Sequence, residues 1–147
     1  MKYYLGLLIL VLFELTVIGQ EDKIDKLIMD TNNDQLSWIC NYACGLYLKG
    51  NAADSLIRIG KPLSLKVIPF LADKDRGIIA HYILSNIWIN KKAISSSSSD
   101  FDKDSTISIN YCGLNFFEKK GHIFAGQEAL NENMDKWIKR IEKKSNR

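Results

Sequence analysis

The chain has 147 residues, of which 46% are apolar and 25% are charged, a composition typical of one globular domain and not of a disordered tail. Its formal net charge is +3, and it contains two histidines, three cysteines and two prolines. These counts exclude a multi-histidine metal centre, a dense disulfide scaffold and a proline-rich linker protein.

The amino terminus has the pattern of a secretory signal peptide. Lys2 supplies a positive charge, residues 3–13 form an apolar run, and short residues precede Gln20. A membrane anchor is the alternative, but Glu14 lies inside the only apolar window long enough to span a bilayer. We therefore expect residues 1–19 to be removed and the mature protein to be periplasmic or secreted. The leader also resembles those of exported proteins of Bacteroidetes-type bacteria.

The first half of the mature chain is predicted to be helical. Residues 21–30 predict a short amphipathic helix, and a stronger one follows between Asp34 and Gly50. In that segment apolar residues recur at steps of three and four and occupy most sides of a helix, which predicts a central, buried helix. Two shorter helices broken near Gly60 and a long one ending near Asn90 are expected next.

Residues 54–88, DSLIRIGKPLSLKVIPFLADKDRGIIAHYILSNIW, resemble a HEAT-type helical repeat. The resemblance lies in a helix ending at Gly60, an entry at Pro62, a turn at Asp73 and Asp75, and a following helix. It implies a stack of antiparallel helix pairs whose concave face binds protein partners. Because the chain has room for two repeats at most, we expect residues 20–94 to form a compact HEAT-like bundle.

The composition changes at residues 95–105, where a run of serines and aspartates without apolar periodicity predicts a flexible linker. Beyond it, residues 106–147 predict a β-hairpin with its turn at Lys120–Gly121 and a carboxy-terminal helix from Gln127. We expect that helix to dock on the hairpin, since an isolated two-stranded hairpin is only marginally stable in water. The apolar stripe through which it would dock consists of Leu130, Met134, Trp137, Ile138 and Ile141. The predicted fold class is therefore mainly α: HEAT-like antiparallel helix pairs, then a small β-hairpin and an amphipathic helix.

One acidic segment resembles the start of a calcium-binding loop. Asp100, Asp102 and Asp104 have the alternate spacing of such loops. The loop also needs glycine at its sixth position and glutamate at its twelfth, where this chain has Ser105 and Tyr111. Since the bidentate glutamate is missing, we predict a solvated acidic linker, no metal site and no cofactor.

The three cysteines allow two interpretations. A bond between Cys40 and Cys44 would be strained on one helix, whereas Cys44 or Cys40 could pair with Cys112 and join the hairpin to the bundle. The alternative is three buried free thiols, because free cysteine packs as a small apolar residue.

No catalytic motif is recognisable in the sequence. Cys112 and His122 could form a thiolate pair on adjacent strands, but no nucleophile turn, zinc motif or phosphate loop accompanies them. His81 lies beside the apolar stripe of its helix, which is typical of a hydrogen-bonded structural histidine. We therefore predict no enzymatic activity, with a Cys/His hydrolase as the least favoured alternative.

The basic residues are concentrated at the carboxy terminus. From Glu132 to Arg147 there are six Lys or Arg against three acids, so this segment carries the whole net charge of +3. A uniform basic face for nucleic acid is absent, and another protein is the expected partner. The alternative is peripheral binding to a membrane or an anionic envelope surface through Lys136, Lys139, Arg140 and Lys143. Burial of Trp137 would count against that alternative, since the apolar face would then be packed in the fold.

Overall fold

The computed structural model describes residues 21–40, 44–89, 95–98 and 106–145, with only the backbone described for 95–98 and 145. Its helices are α1 (residues 21–29), α2 (Ala52–Ile59), α3 (Ser64–Val67), α4 (Gly77–Ile89) and α5 (Gln127–Ser145). Its strands are β1 (Leu36–Cys40), β2 (Cys44–Leu48), β3 (Ser95–Ser98), β4 (Thr106–Tyr111), β5 (Leu114–Lys119) and β6 (His122–Phe124). Short 3-10 turns cover Asn33–Gln35, Lys61–Leu63 and Ile68–Ala72.

The strands form two antiparallel sheets. β1 pairs with β2, and Cys40 lies opposite Cys44 in that register. The other four strands, β3 to β6, pair in chain order to form the second sheet. Two-residue turns at Cys112–Gly113 and Lys120–Gly121 connect its last three strands, and all four of these residues have positive φ. Positive φ at both central residues is the type I′ geometry that fits the twist of a tight hairpin.

The predicted mainly α fold of HEAT-like helix pairs is wrong, because the described residues form a mixed fold of five helices and two small antiparallel sheets. The central helix expected between Asp34 and Gly50 is replaced by β1 and β2. A run that is apolar on most sides fits a strand pair as well as a helix, so its periodicity does not distinguish them. A backbone hydrogen bond from the Lys49 amide to the Gln35 carbonyl, 2.6 Å long, closes the base of the β1–β2 hairpin.

Several predicted segments lie at the edges of the described ranges. Ser95–Ser98, inside the predicted linker, form β3 and pair with β4. Residues 99–105, which contain the three aspartates of the candidate calcium loop, lie outside the described residues, and the second half of that loop forms β4. The predicted signal peptide, residues 1–19, also lies outside them. None of the helices within the described ranges is long and apolar enough to span a bilayer.

Helix α4 is the centre of the fold. Its buried residues include Ile78, Ile79, Ile83 and Leu84, and it begins with Gly77. A Cβ atom at Gly77 would lie 2.6 Å from the Leu71 carbonyl oxygen and 2.8 Å from a Leu130 methyl carbon. Glycine at this position therefore lets α4 approach both the Ile68–Ala72 turn and α5.

The amino terminus of α4 is capped by a residue far away in the sequence. The side-chain oxygen of Asn33 accepts hydrogen bonds from the Ile78 and Ile79 amides, at 3.1 and 3.0 Å. The Asn33 amide group donates to the Lys74 carbonyl at 2.8 Å, and its backbone N–H donates to the Asp75 carbonyl at 2.7 Å. Asn33 thus satisfies helix amides that would otherwise be unpaired and attaches the start of the β1–β2 hairpin to α4.

Helix α5 covers both the helices and the four-stranded sheet. It packs against the Ile68–Ala72 turn, α4 and β5, with Leu130, Trp137 and Ile141 buried. The predicted contact of this helix with the hairpin is thus part of a larger contact that also includes the helical half. Its apolar stripe is used in the core of the protein.

Candidate functional site

A buried polar cluster joins α4, β4 and α5. His81 is 1% exposed and lies between Tyr111 and Trp137, whose rings have their centroids 6.0 and 5.8 Å from the imidazole centroid. The Trp137 indole N–H donates a hydrogen bond to Nδ1 of His81 at 2.9 Å. The Nε2 atom of His81 lies 2.8 Å from the Tyr111 carbonyl oxygen. His81 is therefore buried and hydrogen-bonded, as expected from its place beside the apolar stripe.

These two hydrogen bonds fix the protonation state of His81. Because an indole nitrogen can only donate, Nδ1 must be the acceptor, and Nε2 must carry the proton that reaches the Tyr111 carbonyl. Burial lowers the pKa of His81 to about 4, against the opposing effect of the hydrogen bond to the Tyr111 carbonyl. His81 is consequently neutral at pH 7, and its one lone pair is already occupied by Trp137.

Cys112 lies next to this cluster, at the turn between β4 and β5. It is half-buried and has a φ of 51°, a left-handed conformation that cysteine seldom adopts. Burial raises the pKa of its thiol, although a hydrogen bond with Ser85 and the charge of Arg140 act in the opposite direction. The thiol is therefore protonated at neutral pH, and the reactive form of a cysteine is the thiolate.

A pocket of about 330 Å³ opens between this turn and α5. The residues that line it are Cys112, Gly113, Asn133, Lys136, Trp137 and Arg140. The Arg140 guanidinium carbon lies 5.0 Å from the centroid of the Trp137 ring, which places the charge over the aromatic face. The wall of the pocket therefore contains a thiol, an amide, two cations and the aromatic ring of Trp137.

Asn133 is the unusual member of this lining. It is 3% exposed, and its Nδ2 atom has no hydrogen-bond partner in the part of the chain that the structure describes. A buried donor without a partner destabilises a protein by about 1–3 kcal/mol, so such groups in native structures call for an explanation. An acceptor brought in by a ligand would supply the missing hydrogen bond.

The structure does not bring the two members of the hypothetical Cys/His pair together. Cys112 precedes β5, whereas His122 follows it and pairs with Lys119 at the other end of the strand. Six strand residues separate them, so they are about 16 Å apart or more. His122 is exposed, and its Nδ1 atom lies 3.7 Å from a carboxylate oxygen of Asp34.

The disulfide differs from both interpretations of the sequence. Cys40 is bonded to Cys44, and Cys112 is the free thiol. The predicted pairing of Cys112 with Cys40 or Cys44 is therefore wrong, as is the alternative of three free thiols. Strain is expected only if both cysteines lie on one helix. On antiparallel strands, two cysteines opposite each other have their Cβ atoms close enough to bond.

The four basic residues predicted to contact an anionic surface are exposed and lie on α5. We call Lys136, Lys139, Arg140 and Lys143 the basic face. Among the described residues, only Lys136 of the four has a carboxylate within ion-pair distance, Glu132 at 3.6 Å. A concavity of about 520 Å³ runs along this face, and Lys136 and Arg140 border both it and the pocket. Lys144, next to the basic face, donates instead to the Trp88 carbonyl at 3.4 Å.

Sequence reasoning missed Asn133 and the Cys112–Gly113 turn as parts of one site. Asn133 is three residues after Leu130 and four before Trp137, so helical periodicity places it within the buried stripe. A polar residue at such a position was an available signal. The Cys112–Gly113 turn could not be recognised from the sequence in this way, because cysteine is not a residue that favours positive φ.

Comparison of the chain with models of protein families, with curated proteins and with solved structures finds no match. The resemblance of residues 54–88 to a HEAT-type repeat therefore stays a prediction from the sequence. Within those residues the structure has α2, α3 and α4 with their connecting 3-10 turns.

Proposed function

We propose that this chain is an exported, non-catalytic module that binds an acidic protein surface through the basic face of α5. The observation that carries the proposal is the basic face itself: four exposed cations on one helix, of which one has a carboxylate partner among the described residues. Unpaired cations at this density attract an acidic partner and orient its approach. The proposal rests on α5 and no longer on the concave surface that HEAT-like helix pairs would have formed.

The chemistry around Cys112 supports a non-catalytic role. The lone pair on Nδ1 of His81 accepts a hydrogen bond from the Trp137 indole N–H, so it is not free to take a proton from Cys112 or Ser85. Burial favours the neutral thiol, and His122 is distant. A cysteine hydrolase needs a thiolate and a base within hydrogen-bond reach of each other.

The packing of α5 favours a protein over a membrane as the partner. Helices that lie on a bilayer insert an apolar face into it. On α5 that face is used in the core, where Trp137 is 3% exposed. Of the large apolar side chains that are exposed in the described ranges, none belongs to α5.

Export is supported by two independent features. The leader has a positive start and an apolar core before Gln20. The Cys40–Cys44 disulfide fits an oxidising compartment, where such bonds form and persist. Sequencing the amino terminus of exported protein should find Gln20 or a neighbouring residue, whereas an intact Met1 in a membrane pellet would contradict cleavage.

The proposed function is tested by binding to immobilised poly-glutamate. Replacing all four residues of the basic face by glutamine should weaken binding roughly tenfold or more, since each exposed ion pair contributes on the order of 0.5 kcal/mol. Binding of the unaltered chain should also weaken as salt is raised, because salt screens exposed charges.

A matched control separates the position of the charges from their number. Four exposed lysines elsewhere, Lys23, Lys26, Lys49 and Lys74, are replaced by glutamine, which changes the net charge by the same amount. This variant should bind poly-glutamate nearly as the unaltered chain does. Equal loss in both variants, or binding to anionic vesicles but not to poly-glutamate, would contradict the proposal.

A further inference from the structure

The pocket between the Cys112–Gly113 turn and α5 has the lining of an anion site. Three residues of its wall, Asn133, Lys136 and Arg140, follow one another at steps of three and four along α5 and so share one side of the helix. They supply N–H donors, two of them on cations, and no carboxylate is among the described lining residues. Such a set suits a ligand with negatively charged oxygens and does not suit a metal cation.

Asn133 is the independent sign of a ligand. The side chain is buried, borders the pocket and has an Nδ2 atom without a hydrogen-bond partner in the described residues. Lys136 and Arg140 are exposed and could be satisfied by water, but a buried amide needs an acceptor that enters the pocket. An oxyanion held beside both cations would provide that acceptor.

The turn opposite α5 shapes the entrance to the pocket. Cys112 has positive φ in a position where asparagine or glycine is favoured, and Gly113, at a φ of 91°, adds no side chain to the wall. Apart from Gly113 and its two chain neighbours, no described heavy atom lies within 4 Å of the place where a Gly113 Cβ would be. Backbone conformations of this kind are concentrated at functional sites, where they position a side chain.

We infer that this pocket binds one oxyanion group, a carboxylate or a phosphate, through Asn133, Lys136 and Arg140. The inference rests on the proposed function for the bearer of that group, which we expect to be an acidic side chain of the protein partner. The rest of the basic face, Lys139 and Lys143, would then attract the partner without entering the pocket. The pocket would thus bind one oxyanion group of the partner, whereas the basic face would respond to the total negative charge of the partner's surface.

The test uses small anions and a side-chain reporter. The full chain, labelled with nitrogen-15, is titrated separately with N-acetyl-glutamate and with inorganic phosphate, and potassium chloride of equal ionic strength is the control. We expect a saturable shift of the Asn133 side-chain amide signals with at least one of the two probes and not with chloride. A response to N-acetyl-glutamate assigns the group to a carboxylate, and a response to phosphate alone assigns it to a phosphate-bearing ligand.

Cys112 provides a second measurement at the same site. Because Cys40 and Cys44 are bonded to each other, Cys112 is the thiol that N-ethylmaleimide can alkylate. The probe that shifts Asn133 should slow this alkylation in the folded protein. Unchanged alkylation by a saturating probe would place the probe elsewhere and overturn the inference.

Two pairs of substitutions separate the pocket from the face. Lys136→Gln with Arg140→Gln removes both pocket cations, whereas Lys139→Gln with Lys143→Gln removes the same charge from the same helix outside the pocket. The first pair should abolish the saturable shift, and the second should leave it. Equal weakening in both pairs would mean that the probes sense only net charge, and the inference would be wrong.

Asn133→Leu tests the buried donor itself. Replacing an amide whose Nδ2 atom has no described partner by an apolar group of similar size should leave the midpoint of thermal unfolding unchanged or raise it. In the same variant, protection of Cys112 by the probe should disappear. Full protection in Asn133→Leu would show that the amide does not contact the ligand.

The results also distinguish this inference from the proposed function. If poly-glutamate binding depends on the basic face but neither small anion shifts Asn133, the pocket inference fails and the proposed function stands. If a small anion binds in the pocket while the four-residue basic-face variant retains poly-glutamate binding, the proposed function fails and the oxyanion site stands.

Discussion

Helix α4 and the β1–β2 hairpin are held in shape by different means. Of the thirteen residues of α4 eight are buried, whereas Leu36 is the one buried residue among the ten of β1 and β2. The helix is fixed by packing and by hydrogen bonds from other elements, and the hairpin by strand pairing and the Cys40–Cys44 bond. We therefore expect substitutions in α4 to destabilise the whole fold. Substitutions at the distal end of the hairpin should destabilise the hairpin alone.

The largest expected effect on stability is at Trp137, the residue of α5 that donates a hydrogen bond to His81 of α4. Trp137→Ala should lower the free energy of unfolding by about 3–5 kcal/mol, because it leaves a cavity and removes the donor to His81. Chemical denaturation followed by circular dichroism measures it. Lys139→Gln with Lys143→Gln is the control and should change stability by about 0–1 kcal/mol. If Trp137→Ala left the stability unchanged but abolished binding to anionic vesicles, we would conclude that Trp137 inserts into membranes and does not pack in the core.

The next effect is the response of the α4 region to acid. The folded-state pKa of His81, about 4, lies below the ordinary value of 6.5, so the unfolded chain binds more protons between these values. Stability is therefore fully present above pH 6.5 and falls as the pH is lowered towards 4, by about 3 kcal/mol in total. Urea unfolding at pH 7.5, 6 and 5 measures how the free energy of unfolding changes with pH, in a range above the pH at which most carboxylates titrate. A flat profile would contradict the buried neutral state of His81.

A smaller and more local effect is expected in the hairpin. Replacing Cys40 and Cys44 by serine opens a five-residue ring and should lower stability by about 2 kcal/mol at most. Hydrogen exchange should accelerate at the β1 and β2 amides and stay slow in α4, because the two regions are held separately. Equal acceleration in α4 would show that the hairpin and the helix unfold as one unit.

The smallest expected effect is at the residue that connects the two regions. Asn33→Ala removes both acceptor bonds at the start of α4 and should lower stability by about 1–2 kcal/mol. Asn32→Ala, at the exposed neighbouring position, is the matched control and should have almost no effect. Faster hydrogen exchange at both Ile78 and the base of β1 would support the connection, and faster exchange at one alone would contradict it.

The elements that sequence analysis located correctly are those with strong local signals. The hairpin turn at Lys120–Gly121 and the helix from Gln127 lie where the sequence predicts them, because a turn glycine and a one-sided apolar stripe each specify one local structure. The segment 36–48 had no such specificity, since it is apolar on most sides and its pairing is set by contacts beyond the segment.

The candidate site was only partly predictable for a similar reason. The basic residues of α5 follow from periodicity alone, and so does the burial of Trp137. The pocket depends on how the Cys112–Gly113 turn meets α5, two segments about twenty residues apart whose contact no local pattern encodes. The fixed tautomer of His81 also required knowing that the Trp137 indole reaches Nδ1.

Three residues that hydrogen-bond to α4 come from distant parts of the chain. Its partners Asn33, Tyr111 and Trp137 are separated from the residues they contact by 45, 30 and 56 positions. Contacts of such long sequence separation require large loops to close before they contribute, and proteins that depend on them fold slowly. During synthesis the core of this protein therefore cannot close before α5 has been made.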